Sequence, residues 1–370
     1  MGRAVLISLL LVLPLLGCGS REAAPSGPDP QLTERLARGV NLAHAFTASA
    51  DGPPAWNVGA QDYALIRGLG LRHVRSLIEL GLIIDPGSED GLNAAAVTEL
   101  HRAIDDANRA GLMFVLALQL DDASKQRLAV DSIARQRLAT LWQVLAKALA
   151  AIPPDDLVFE LLNEPTIEDA ASVQSLMAQL VAAMREIAPQ RTLVVAGPHF
   201  ADAQDLLKLQ PLADPNLIYS FHFYEPHNFT HQGANWGWPM WRQLHNLPYP
   251  SSPEAVAPVL DTLTPEARPH AEFYGQERWN RDRLAAPITQ VADWARRHRL
   301  KLWCSEFGVY RYYVNEQFRA AWLRDARELF EARDIAWTHW DYTDGFGLSR
   351  GEPGARVADP EIVSALGLRP

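Results

Sequence analysis

The chain is poor in cysteine, with two in 370 residues, Cys18 and Cys304. A disulfide framework is therefore excluded, and stability must come from a packed core. No group of Cys and His residues has metal-ligand spacing, so neither a metal nor another cofactor is expected. Basic runs are also missing. Thirty-four Lys and Arg stand against 44 Asp and Glu, a formal charge of −10, which makes the chain a poor nucleic-acid binder. No Gly-rich phosphate turn follows the first apolar strand, which weakens a doubly wound dinucleotide fold. The apolar run at the N terminus, residues 4–17, is too short to span a bilayer as a helix.

Hydrophobic residues are abundant at 48%, ample for a large core, and eleven tryptophans is a high number for this length. Flat indole rings serve either as bulky core or as stacking platforms for sugar rings. The N-terminal run follows Arg3 and ends in Leu15-Leu16-Gly17-Cys18, so residues 1–17 read as an export signal. The ending resembles a bacterial lipobox, which implies cleavage before Cys18, lipidation of that cysteine and anchoring to a membrane. With Gly19 after the cysteine, it is similar to lipoproteins sorted to the outer membrane of Gram-negative hosts. Residues 18–34, with Pro, Ser and Gly, read as a flexible tether. Cys304 is then left without a partner and reads as packing.

From residue 35 to the end, apolar strands alternate with helical stripes. Strands are expected at 39–43, 71–77, 113–118, 157–162, 192–196, 217–223, 301–305 and 335–338. Helices are expected at 60–68, 92–110, 132–151, 172–188, 202–209, 282–298, 316–332 and 360–366. Most strands are apolar throughout, as when both sheet faces are covered. Eight β/α units predict closure into a single (β/α)8 TIM barrel, an α/β fold. One connection is abnormal: residues 225–275, after strand six, carry Trp236, Trp238, Trp241 and eight prolines. A loop this long in a compact domain is usually functional, and in a barrel it rises from the face that carries active sites. Its tryptophans either pin the loop or stack on substrate.

Polar residues collect at strand ends: Asn41, His44, Arg75, Asn163, Glu164, His222, Tyr224, Glu306, Trp340 and Asp341. Two glutamates at the ends of strands four and seven suggest glycoside hydrolysis, which needs one proton donor and a second carboxylate for the anomeric carbon.

The ordered set Gly39-Val40-Asn41-Leu42, Val74-Arg75, Leu162-Asn163-Glu164-Pro165, His222-Phe223-Tyr224, Ser305-Glu306-Phe307-Gly308 and Trp337-Thr338-His339-Trp340 resembles glycoside hydrolase family 5, the cellulase family. The resemblance implies a retaining β-glycosidase with Glu164 as acid/base and Glu306 as nucleophile. It implies that Asn163 bonds the sugar 2-hydroxyl, and that Arg75 and Tyr224 hold Glu306, with Arg75 lowering its pKa. His222 would position the acid/base, Trp340 would lie under the sugar, and His44 would touch it. A β-linked polysaccharide is the implied substrate, cut by a monomer, with β-1,4-glucan first and mannan or an exopolysaccharide as further possibilities. A transglycosylase, or a glycan-binding lipoprotein without catalysis, uses the same barrel. Strand three departs from the family's Asp-x-His ending: Ala117 and Gln119 stand there. Gln119 can bond a hydroxyl but cannot titrate, so ordinary cellulase specificity is not implied.

Overall fold

The computed structural model describes residues 27–48 and 54–370. The export signal, Cys18 and the first part of the tether lie outside the described residues. Eight parallel strands close into a barrel: β1 (Arg38–Asn41), β2 (His73–Glu79), β3 (Met113–Gln119), β4 (Leu157–Glu160), β5 (Leu193–Ala196), β6 (Leu217–Phe223), β7 (Lys301–Phe307) and β8 (Ala336–His339). Each strand pairs with its sequence neighbour, and β8 closes on β1. This is the (β/α)8 barrel expected from the alternation.

Period two explains why the strands read as continuously apolar. On β3, Phe114, Leu116 and Leu118 join the large cluster between barrel and helices, while Met113 and Val115 join a second cluster inside the barrel. That inner cluster also holds Val158, Val194, Ile218 and Trp303. Above it, Thr338 receives the Trp303 indole N–H at 2.8 Å and bonds the His73 imidazole at 2.7 Å. Gly39 is required at this level, because a β-carbon there would lie 2.1 Å from His73 Nε2.

Two expectations need correction. The tether ends sooner than residue 34. Pro30–Leu36 is a helix, capped by Asp29, whose carboxylate accepts the amides of Gln31 and Leu32. Its Leu32 and Leu36 seal the bottom of the barrel against the inner cluster. The apolar pair at i, i+4 was the available signal, masked by the neighbouring prolines. The stretch after β6 is likewise no irregular loop. It contains the helices Pro253–Leu260 and Arg268–Glu277, packed on each other, and Pro253 opens the first of them. Proline is well placed in a first helical turn, so residues read as breakers were initiators.

Replacing Leu32 or Leu36 with alanine should cost about 2–4 kcal/mol each, since both are almost fully buried. Urea denaturation followed by tryptophan fluorescence measures this. A loss below about 0.5 kcal/mol, the range of surface substitutions, would mean that the helix is not part of the folded unit.

Candidate active site

Arg75 ends the buried polar column of the barrel, and all five of its N–H donors are used. Nε and Nη2 hold Glu160 at 2.6 and 2.9 Å. Nη2 also donates to Asn163 Oδ1 at 2.7 Å. Nη1 donates to Asn41 Oδ1 at 2.7 Å and to Glu306 Oε1 at 2.8 Å. Arg75 and Glu160 are both fully buried. Burial alone would lower the Arg75 pKa; the charges of Glu160 and Glu306 outweigh it and hold the value above normal. Glu160 received no role from the sequence. Its one signal was a carboxylate within an apolar strand, two residues along from Val158 and therefore inward-facing.

Glu306 is fixed on two sides, by Arg75 and by the Tyr224 hydroxyl, which donates to Oε2 at 2.9 Å. Burial, then the charge of Glu306, raises the Tyr224 pKa, so the phenol keeps its proton. The Cys304 thiol, buried in the wall, donates to the Glu306 carbonyl at 3.3 Å. Gly308 follows because the Trp340 carbonyl lies 2.2 Å from where a β-carbon would be. Glu164 is held more loosely. His222 Nδ1 lies 2.9 Å from its Oε1 and 3.5 Å from Glu306 Oε2. Carboxylate oxygens of Glu164 and Glu306 lie within 4.8 Å of each other and of a His222 ring nitrogen. The Glu164 side chain remains 29% exposed, against 5% for Glu306.

Glu164 has φ 45°, a left-handed conformation that costs a non-glycine residue about 1–3 kcal/mol. Its surroundings enforce it. The Asn163 amide donates to the Leu118 carbonyl at 2.8 Å, and the Trp142 indole donates to the Leu161 carbonyl at 2.9 Å. Beyond it, His199, Phe200 and Ala201 form a second left-handed turn, whose first two amides donate to the carbonyls of Ile167 and Pro165.

The pair opens into a cleft of about 890 Å³. Gln119, Lys125 and Asp122 line the β3 side, and Asp202, His199 and Phe200 follow β5. Trp236, Trp238 and Trp241 come from the stretch after β6, together with Glu225, His227 and His231. All three tryptophans thus border the cleft, and Trp241 also stacks on His231 at 4.7 Å. Gln119 accepts a bond from Asn163 Nδ2 at 2.9 Å, which leaves Asn163 one further N–H. Trp340 sits partly buried at the end of β8, its amide bonded to the Phe307 carbonyl. His44 is exposed after β1 and is not among the cleft-lining residues.

Arg75 does lower the Glu306 pKa, as expected, but it does not set the net direction. Burial pushes Glu306 up, and His222 and Arg75 offset only part of this, so its carboxyl stands above the ordinary range. Burial also pushes on Glu164, but the His222 hydrogen bond and charge outweigh it and hold that carboxyl low. The two carboxyls titrate as one system. Glu164 is the more exposed of the two, while Glu306 is held by its bonds to Arg75 and Tyr224.

Such a pair can deliver a proton to a departing oxygen from one side while the other carboxylate attacks carbon, which is the chemistry of a retaining glycoside hydrolase built on a (β/α)8 barrel. The family model described as cellulase (glycosyl hydrolase family 5) matches residues 38–345. The chain belongs to that family. Endoglucanase 3 of Fibrobacter succinogenes is 25% identical over 361 residues, covering 91% of this chain and 54% of that protein. The chain thus spans about half the length of that relative. Endoglucanase C of Acetivibrio thermocellus is 26% identical over 291 residues, covering 76% of this chain and 83% of that protein. Among solved structures, endoglucanase Cel5A of Thermotoga maritima superposes with a TM-score of 0.74 at 20% identity, covering 91% of this chain and 98% of that one. The cellulose synthase subunit Z of Clostridioides difficile gives 0.72 at 23% identity, covering 89% and 98%.

Glu225 yields a pH prediction. Burial, then the charge of Asp202, pushes its carboxyl from 4.5 up to about 7. Its protonated form therefore stabilises the fold fully below pH 4.5, and that contribution is lost as pH rises from 4.5 to about 7. Glu225→Gln, which cannot ionise, should raise the Tm relative to the parent at pH 8 and change it little at pH 4.5. Thermal melts across this range measure the difference; a shift independent of pH would refute it.

Proposed function

We propose that the protein is an endo-acting, retaining β-glycosidase that hydrolyses a β-linked polysaccharide, with β-1,4-glucan as the first candidate. The observation that carries this reading is the pair of glutamates whose oxygens lie within 4.8 Å, close to the roughly 5 Å separation of retaining enzymes. The endoglucanase names of the curated relatives support the glucan and the endo mode.

In this reading Glu164 gives its proton to the glycosidic oxygen as Glu306 attacks the anomeric carbon. The C–O bond to the leaving sugar breaks and a glycosyl ester forms on Glu306. Water then attacks the same carbon, Glu164 takes the water proton, and Glu306 leaves as carboxylate. Arg75 and Tyr224 keep Glu306 aimed and stabilise it as it departs. The free N–H of Asn163 is available for the sugar 2-hydroxyl. Trp340 supplies a platform at the β8 end, and Trp236 and Trp238, both more than 40% exposed, supply stacking faces further along the cleft. No step calls for a metal or cofactor. The N-terminal residues support export and a lipid anchor on Cys18, which would hold the barrel near a membrane, in Gram-negative hosts the outer one.

On a polysaccharide panel, Glu164→Gln should lower kcat/KM by about 10²–10⁴-fold. The loss should be much smaller on aryl glycosides whose leaving group needs no proton. Glu306→Ala should lower activity at least about 10³-fold on both substrate types. NMR of the first product should show retained configuration; an inverted anomer, or wild-type rates in both variants, would sink the assignment. Separately, Cys18→Ser should shift the protein from the membrane to the soluble fraction of its host, and unchanged partitioning would rule out the anchor.

A further inference from the structure

The helix Asp122–Val130, after β3, had no counterpart in the sequence reading because it carries no apolar stripe. Only Lys125 and Leu128 are buried on it. Asp121 caps it, and Gln126 ties it to the chain just beyond Glu164, donating to the Thr166 carbonyl at 2.6 Å and hydroxyl at 3.1 Å. Lys125 is therefore held in place. Its side chain lines the cleft with Gln119 and Glu164, and the residue is 1% exposed.

This ammonium has no partner. Among the described residues no carboxylate comes within ion-pair distance of Nζ, and no side-chain hydrogen bond is made by it. Its helix neighbour Arg127, by contrast, is paired with Asp131. Nζ is not among the side-chain nitrogens sealed from water, so the stem is buried while the tip reaches the cleft, and the carboxylates that act on it most strongly are Glu164 and Asp122. Lys125 is also the one Lys or Arg among the cleft-lining residues. The acids Asp202 and Glu225 lie across the cleft, after β5 and β6, with His199, His227 and His231. Asp122 shares the β3 side but is exposed at the helix start, where water screens it. The cleft is thus polarised, with a neutral amide and a fixed ammonium on one wall and carboxyls on the other.

We propose, resting on the glycosidase reading, that Lys125 binds a carboxylate carried by the substrate. The glycan cleaved is then an acidic one, with a uronate or a dicarboxylic half-ester such as succinyl on a sugar beside the scissile bond. Burial of its stem already removes part of the water around Lys125 in the free protein. The ion pair formed on binding therefore contributes more than an exposed pair would, where ordering and screening cancel most of the gain. Closing that pair also neutralises the cation that faces Glu164, which favours the protonated acid at the moment it is needed.

Three β-1,4-glucan oligosaccharides of equal length test this: neutral, C6-oxidised to glucuronate, and O-succinylated. kcat/KM is measured on each for the full protein, Lys125→Met and Lys125→Arg, at low salt and at high salt. The parent should favour at least one acidic substrate by about tenfold or more, the equivalent of about 1.4 kcal/mol. Which acidic substrate responds separates uronate from half-ester. In Lys125→Met the acidic-to-neutral ratio should fall to about one whatever happens to the absolute rates. Lys125→Arg should keep part of the ratio, and salt should weaken it less than it weakens a surface ion pair. A parent ratio of one or less on both acids, or a ratio unchanged in Lys125→Met, overturns the proposal. If none of the three is cleaved, the hydrolase reading of this glucan falls by itself. The Kd values of the intact proteins for the same compounds then decide the role of Lys125 by the same ratio.

Discussion

The structure depends on one buried cation. Arg75 stands at the top of the barrel interior and ties β1, β2, β4 and β7 together through Asn41, Glu160, Asn163 and Glu306. A guanidinium has a planar, fixed fork of donors, so satisfying all five fixes the positions of its partners as well as its own. Two of those partners are anions. Glu160 balances the buried charge, and Glu306 is then held in register without being neutralised outright. Removing either anion would leave a buried imbalance, which is far more costly than the pair is favourable. The proposed nucleophile is thus placed by a network that the barrel needs for its own stability.

The other carboxylate is held by different means. Glu164 has a single side-chain partner, His222, and a left-handed backbone set by the surrounding amides and carbonyls. It keeps contact with solvent while Glu306 does not. This asymmetry suits a division of labour. One carboxyl is fixed and shielded; the other stays open to water. The wall opposite β3 adds carboxyls and imidazoles, the β3 wall adds Lys125, and the tryptophans after β6 add flat apolar faces. Most of the groups that line the cleft around the pair therefore come from the connections between strands and helices.

That distribution explains which parts were legible in the sequence. Strand-end residues are read from a period and a position, so Arg75, Asn163, Glu164, His222, Tyr224 and Glu306 could be assembled into one site before any coordinates. The helix of Lys125 has no amphipathic stripe, and the helices after β6 begin at prolines that look like breakers. Both were invisible to periodicity for these physical reasons. Glu160 was hidden differently: it sits inside an apolar run, and only the inward turn of alternate residues makes it a partner of Arg75.

The sequence by itself determined the eight-unit barrel, the family and the two glutamates, because these follow from local patterning and from motifs in a fixed order. Only the tertiary structure decided how the charges balance. Arg75 lies between Glu160 and Glu306 across strands 85 and 231 residues away in the chain. Burial, not Arg75, sets the direction of the Glu306 pKa. Pairing distances and desolvation are properties of space rather than of order along the chain. For the same reason the unpartnered Lys125 ammonium, and the polarity it gives the cleft, became visible only once the barrel was closed.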